Sequence, residues 1–229
     1  MALYAIADLH LSFTSNKPMD IYGSAWKNHT ERVKEAWLSK INQEDTVIIA
    51  GDISWGLRLE DAMADLSWIH DLPGKKVLIK GNHDPWWASI TKLNHLFDDM
   101  FFLQNTFYPY EDYAICGSRG WVCPGSGEFT EHDEKIYQRE ILRIKASFEA
   151  AAKAGYEKFI GVMHYPPTNE KREASGFTEI FDYYDAEKVV FGHLHGEKRK
   201  NAQAGMRGRV EYYLISCDTL QCDPMRIFG

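Results

Sequence analysis

Five short runs of Val, Ile, Leu and Ala punctuate the chain, at residues 3–8, 46–50, 76–80, 158–163 and 188–191, and each runs directly into a polar cluster. An apolar run of this length, bounded by turn-forming residues, suits a strand buried on both faces, as in parallel sheets. Between the runs lie segments of helical period: Val33, Ala36, Trp37 and Ile41; then Leu59, Met63, Leu66 and Ile69; then Ile90, Leu93 and Phe97. A longer helix is predicted over 131–153, with Ile136, Ile141, Ile144, Phe148 and Ala152 on its apolar stripe and Gly155 as its stop. Strand and helix alternate at both ends of the chain, so the class is α/β. Residues 100–117 break the rhythm and read as two or three hairpin-linked strands, and "VEYYLIS" at 210–216 adds a late strand, which makes the sheets mixed.

A length of 229 residues suits one domain, read here as 1–229. No apolar run approaches the roughly 20 residues that a membrane-spanning helix needs, and Met1 leads straight into a strand-like segment with no leader pattern. The expectation is a cytoplasmic protein with no membrane partner. The four cysteines, Cys116, Cys123, Cys217 and Cys222, have no C-x-x-C spacing and read as thiols, not as a disulfide or zinc framework. A net charge of −7 argues against stable, sequence-independent nucleic-acid binding, while leaving room for a local basic site.

The polar clusters carry the chemistry. "ADLH" holds Asp8 and His10, and "GHLHG" holds His193 and His195; residues two apart in an extended segment share a face. Asp52 follows a strand in "AGDIS", Asn82 and His83 in "KGNHD", and His164 in "GVMHYPP". Each lies just past the carboxyl end of a predicted strand, where open α/β sheets gather their ligands. Any one of them has a commoner explanation, as a chance D-x-H, a Gly-Asp turn or a core histidine. The ordered set does not arise by chance.

That order, D-x-H, G-D, G-N-H-D, a strand-terminal His and G-H-x-H, resembles the calcineurin-like metallophosphoesterase family of binuclear metallophosphatases. The resemblance implies a four-layer α/β/β/α sandwich with two mixed β-sheets and two divalent metal ions. It implies Asp8, His10 and His195 on the first metal, Asn82, His164 and His193 on the second, Asp52 bridging, and His83 as the catalytic histidine. Oxygen and nitrogen donors without thiolate suit Mn, Fe or Zn. Against two divalent cations, Asp8, Asp52 and a hydroxide leave a small positive charge, and a neutral Asn82 preserves it for a phosphate anion. The implied reaction is phosphoester hydrolysis by in-line attack of a metal-bridging hydroxide, with His83 assisting the leaving group. Asp84 has two candidate jobs: orienting His83, or capping a helix that starts at Pro85.

The substrate is less constrained. The family's protein phosphatases carry G-D-x-V-D-R-G, and this chain has "GDISWGLRLE". Residues 196–229 are too few for the capping domain that related DNA nucleases add, and no apolar docking insertion for a lipid substrate is evident. The expectation is a small phosphorylated substrate, monoester or diester, nucleotide-like compounds included. A nuclease-like phosphodiesterase is one alternative. A catalytically silent scaffold that binds a protein partner is another, but such a chain would have lost ligands, and this one keeps them. Arg119, in "CGSRGW", is the candidate anion contact. Lys171, Arg172, Lys198, Arg199, Lys200, Arg207 and Arg209 make the loops after His164 and His195 basic, which reads foremost as solvated surface. Trp26, Trp55, Trp86, Trp87 and Trp121 lie near motif loops and are read mainly as wedges. His29, His70, His95 and His132 have no motif support.

Overall fold

The computed structural model describes every residue except Glu128. The chain divides into two compact units, Met1–Phe102 with Ile215–Gly229, and Leu103–Leu214.

In the first unit, β1 (Leu3–Ile6), β2 (Thr46–Ala50), β3 (Lys75–Ile79) and β4 (Met100–Phe102) alternate with α1 (His29–Lys40), α2 (Leu59–His70) and the single turn α3 (Ile90–Leu93). The final strand, β11 (Met225–Phe228), closes the sheet in the order β11-β1-β2-β3-β4, antiparallel to β1 while the other pairs are parallel. Every residue of β1 and β2 is buried, which is why these strands are continuous apolar runs in the sequence. Helix α1 lays Val33 and Trp37 on the core, and α2 lays Leu59, Ala62, Leu66 and Ile69 there. The helical pattern predicted through Phe97 stops at Leu93. Asn94 turns its side chain to β4 instead, accepting from the Phe102 N–H at 2.7 Å. An Asn that satisfies backbone groups of another segment competes with helix continuation.

The second unit carries β5 (Phe107–Tyr110), β6 (Tyr113–Ser118), α4 (Glu131–Lys153), β7 (Lys158–Met163), α5 (Gly176–Tyr183), β8 (Lys188–Phe191), β9 (Gly205–Arg207) and β10 (Val210–Leu214). Its sheet runs β5-β6-β7-β8-β10-β9, parallel through β6, β7, β8 and β10, with antiparallel edges. Both sheets are therefore mixed, as the α/β reading required. Of the strands predicted within 100–117, only β5 and β6 form a hairpin; β4 joins the other sheet beside β3.

Helix α4 has the predicted bounds. Thr130 and Asp133 form a reciprocal cap, with the Asp133 N–H on Thr130 Oγ1 at 3.2 Å and the Thr130 N–H on Asp133 Oδ2 at 2.9 Å, and Gly155 ends the helix at φ +94°. Its buried face differs from the predicted stripe: Tyr137, Glu140, Ile144, Ser147, Phe148 and Ala151 point inward, and Ala152 is exposed. Polar side chains take core places because they bond the neighbouring elements. The Ser147 hydroxyl accepts from the Gly117 N–H at 3.0 Å, and the Tyr137 hydroxyl accepts from the Gly176 N–H at 2.7 Å.

Candidate metal centre

In the first unit, Asp8, Asp52 and Asn82 follow the carboxyl ends of three adjacent parallel strands, β1, β2 and β3. The segments beyond β1 and β2 stay zipped together: Asp8 N–H donates to Gly51 O, His10 N–H to Asp52 O, and Leu11 N–H to Ile53 O, each at 2.9 Å. They are not extended, however. Asp8, His10 and Asp52 adopt φ values of 60°, 46° and 51°. The shared-face argument for D-x-H therefore does not describe this segment, and neither does its counterpart for G-H-x-H, where His193 has φ 71°. Left-handed backbone outside glycine is costly and concentrates at functional sites. Here it recurs at four of the predicted ligands.

Asp8 and Asp52 are buried, and one Asp52 oxygen accepts the His83 N–H at 2.7 Å while the other lies 3.8 Å from His10 Nε2. Gly81 makes this approach possible. A Cβ there would sit 2.1 Å from both the Asp52 nitrogen and its Oδ1.

Asp84 performs neither of its predicted jobs. No helix begins at Pro85; α3 starts at Ile90, capped by Ser89. Among the described residues, the bonds of Asp84 do not reach the His83 ring. Its Oδ1 accepts from Ile53 N (2.9 Å), Ser54 N (3.2 Å) and Trp86 Nε1 (3.0 Å), and its Oδ2 from Gly81 N (2.7 Å). It is a fully buried knot joining the loop after β2 to the loop after β3. Burial, with the Asp52 carboxylate second, pushes Asp84 up to about 6, and the N–H donors oppose that rise.

His83 is held by Trp55. The two ring centroids are 4.5 Å apart, and the same indole stacks on His10 at 4.9 Å and 19°. Lys17 Nζ lies 4.3 Å over Trp55, and the indole N–H points at Met19 Sδ. His29 is a structural residue: its Nε2 contacts Leu9 O at 3.0 Å, its ring stands edge-on to Trp26, and burial lowers its pKa. Trp26 in turn meets His10 edge-on at 5.7 Å. Most of the tryptophans thus wedge loops in place.

In the second unit, His164 follows β7 and is fully buried; His193 and His195 follow β8. His193 Nδ1 lies 3.3 Å from His164 Nε2, and the Tyr165 ring lies 4.1 Å from His193. The carbonyl of Arg119 accepts the N–H groups of both His164 (3.2 Å) and Tyr165 (2.9 Å). The Arg119 guanidinium is engaged elsewhere, 3.6 Å from the buried Glu140 and 4.6 Å over Trp121, and burial lowers its pKa. The observed contacts of Arg119 are thus with the loop and with Glu140. The basic loop residues are also tied down: Arg172 donates to Lys200 O at 2.7 Å, Arg207 to Arg172 O at 3.0 Å, and Arg209 pairs with Asp185 at 3.0 Å. A cavity of about 270 Å³ opens beside His193, between Val122, Tyr165, Pro166 and Leu194. No sequence signal marks it, nor the Asp84 knot, because both depend on segments distant in sequence.

Buried carboxylates and imidazoles at strand ends, with no thiolate among them, fit divalent cations. The pattern of the calcineurin-like phosphoesterase family matches residues 1–197, and the chain belongs to that family. Membership supports metal-dependent phosphoester hydrolysis in general terms. The Gene 66 proteins of Mycobacterium phages L5 and D29 are 38% and 34% identical to it over 78 and 94 residues, which is 34% and 40% of this chain. Those stretches span 37% and 46% of the phage proteins' own length. Among solved structures, TT1561 of Thermus thermophilus superimposes with a TM-score of 0.58 at 13% identity, over 93% of this chain and 87% of that one. Phosphopantetheinyl hydrolase (PptH) from Mycobacterium tuberculosis gives 0.54 at 15%, over 94% and 88%. The protein of unknown function AQ665 from Aquifex aeolicus gives 0.53 at 16%, over 98% and 95%. At these identities the likeness is one of fold. Among the described residues, no helix is long and apolar enough to cross a membrane.

Proposed function

We propose that the chain is a two-metal phosphoesterase acting on a small phosphorylated substrate. In this reading Asp8, His10 and His195 hold one divalent ion, Asn82, His164 and His193 hold the other, and Asp52 serves both. The ions, Mn, Fe or Zn, would supply positive charge for the phosphoryl oxygens and lower the pKa of an attacking water. The chain's own residues do the rest. Asn82 contributes a neutral donor, so the site keeps positive charge for the anion. His83 is free to meet the leaving group because its position is fixed through its backbone, by the bond to Asp52, and through its ring, by Trp55. An imidazole so placed can donate a proton to a departing alkoxide.

The observation that supports this most is the recurrence of strained, left-handed backbone at Asp8, His10, Asp52 and His193 in a chain of this family. A fold carries such strain where side chains must be aimed. The test is hydrolysis of p-nitrophenyl phosphate and bis-p-nitrophenyl phosphate with added Mn²⁺. Wild type is expected to be active, Asp52→Asn inactive with reduced metal uptake, and His83→Ala slowed about 100-fold or more with metal uptake intact. Metal bound without turnover on any phosphorylated metabolite in a panel would sink the enzymatic reading. A higher rate on the diester would assign a phosphodiesterase.

A further inference from the structure

The cavity beside His193 lies wholly in the second unit, and its chemistry is specific enough to name a ligand class. One side is apolar, made by Val122, Tyr165, Pro166 and Leu194. The Tyr165 ring is itself braced, by Trp121 at 4.9 Å and by His193 at 4.1 Å. Thr168 also lines the cavity; it is 5% exposed, and among the described residues its hydroxyl has no hydrogen-bond partner. A buried hydroxyl without a partner is destabilising and is accounted for when a ligand supplies the missing bond.

The charges at the cavity offset one another. Glu170 and Lys198 are its ionic lining residues, and Glu170 is anchored to the Gly127 N–H at 3.3 Å. The Cys123 thiol is kept neutral, because burial pushes it up to about 12. With Glu170 offsetting Lys198, the lining has no net positive charge to favour a second phosphate. At about 270 Å³ the cavity falls just below the roughly 300–1,000 Å³ typical of pockets for organic ligands. It is therefore suited to a compact group and too small for a polymer segment.

We propose that this cavity receives the organic group esterified to the phosphate, and that the group is compact and uncharged, apolar on one side and hydrogen-bonding towards Thr168. This inference rests on the phosphoesterase reading, since it takes His193 as the point where the phosphate end of the substrate is held. The substrate is then an ester of a small neutral alcohol and not a polyphosphate, a phosphoprotein or a nucleic acid.

The test uses the full chain and two probes. Benzyl alcohol, titrated without metal and followed by methyl NMR, is expected to shift the Val122, Leu194 and Thr168 signals. With Mn²⁺, kcat/KM for benzyl phosphate is expected to exceed that for methyl phosphate by at least tenfold. Val122→Trp fills the cavity and should cut that preference to under threefold while abolishing the benzyl alcohol shifts. Thr168→Val, nearly isosteric and therefore safe for folding, should raise KM about fivefold for an ester whose alcohol carries a hydrogen-bonding group, and leave benzyl phosphate within twofold. Absence of benzyl alcohol shifts, or an undiminished preference in Val122→Trp, overturns the proposal. If the alcohol binds but neither ester is hydrolysed, the esterase reading falls, and the proposed link between cavity and ester falls with it.

Discussion

The two ends of the first sheet treat buried charge in opposite ways. At the amino end, acids and bases satisfy each other. Lys76, 1% exposed at its side chain, bonds Asp99, and His70 contacts the same carboxylate at 2.6 Å. Nearby, Asp45 accepts the N–H groups of Ala2 (2.7 Å) and Asn42 (2.9 Å). Burial alone would raise both carboxyls, but these bonds outweigh it and hold them below the usual range. At the carboxyl end, carboxylates gather close enough to disturb one another, and Asp84 is driven up to about 6. A fold needs ends of the first kind for stability. An end of the second kind invites cations, and the difference sets the carboxyl end apart as the one that the proposed reaction would use.

The largest effects should come from breaking the carboxyl end. Gly81→Ala places a methyl group where the Asp52 nitrogen and Oδ1 already are, so the β3 loop must move. Displacement of about 1 Å at a catalytic constellation costs about 100-fold, and turnover should fall at least that far. Equilibrium metal binding should weaken in parallel. Asp84→Ala removes one acceptor from three backbone N–H groups and an indole N–H. Each buried donor left unsatisfied costs about 1–3 kcal/mol, so denaturant unfolding should show a loss of at least about 3 kcal/mol. Asp84→Asn, which retains one acceptor oxygen, should lose less. A stability equal to wild type in Asp84→Ala would show that the knot is dispensable.

Asp99→Asn breaks the other end. It leaves Lys76 in a buried place without its carboxylate, at a cost of about 3 kcal/mol near neutral pH, and turnover at 25 °C should be unchanged. The pH dependence has a defined sign. Because folding lowers the Asp99 pKa, its contribution is complete above the unfolded value of about 3.9 and disappears as pH falls through the folded value. The gap between wild type and Asp99→Asn should therefore close only in acid. A gap that is constant down to pH 2, or a variant that loses turnover while staying folded, would erase the contrast between the two ends.

The sequence makes legible whatever is set locally or by two-sided burial. Strands β1, β2, β3, β7 and β8 are apolar and buried beyond their first one or two residues, and α4 is bracketed by Thr130 and Gly155. The order of the donor motifs is equally visible, since each follows one of those strands. What stays hidden is set at a distance. Asn94 ends α3 by bonding Phe102, and Ser147 turns α4 by bonding Gly117. Asp84 reads in the sequence as a neighbour of His83 or a cap for Pro85, yet its partners include Ile53 and Ser54, some 30 residues earlier. Backbone handedness is hidden too: D-x-H suggests an extended pair, whereas Asp8 and His10 are both left-handed.

The smallest expected effect tests whether the carboxyl end is built for aim as well as for charge. Trp55 lies against both His10 and His83, and its backbone N–H bonds Leu11 O at 2.9 Å, so the residue that bears the indole is anchored to the segment that carries His10. Ring contacts of this kind contribute about 0.5–1.5 kcal/mol, equivalent to a two- to tenfold change in rate. Trp55→Ala should accordingly lower kcat about tenfold with KM within twofold and metal stoichiometry intact, and Trp55→Phe should recover most of the loss. If Trp55 served folding alone, Trp55→Ala would lower the melting temperature without altering kcat in the surviving folded fraction. If it served metal binding through His10, excess Mn²⁺ would restore the rate. A kcat deficit that persists at saturating metal and is relieved by Phe locates the role of the indole at His83, the residue that faces the leaving group in the proposed reaction.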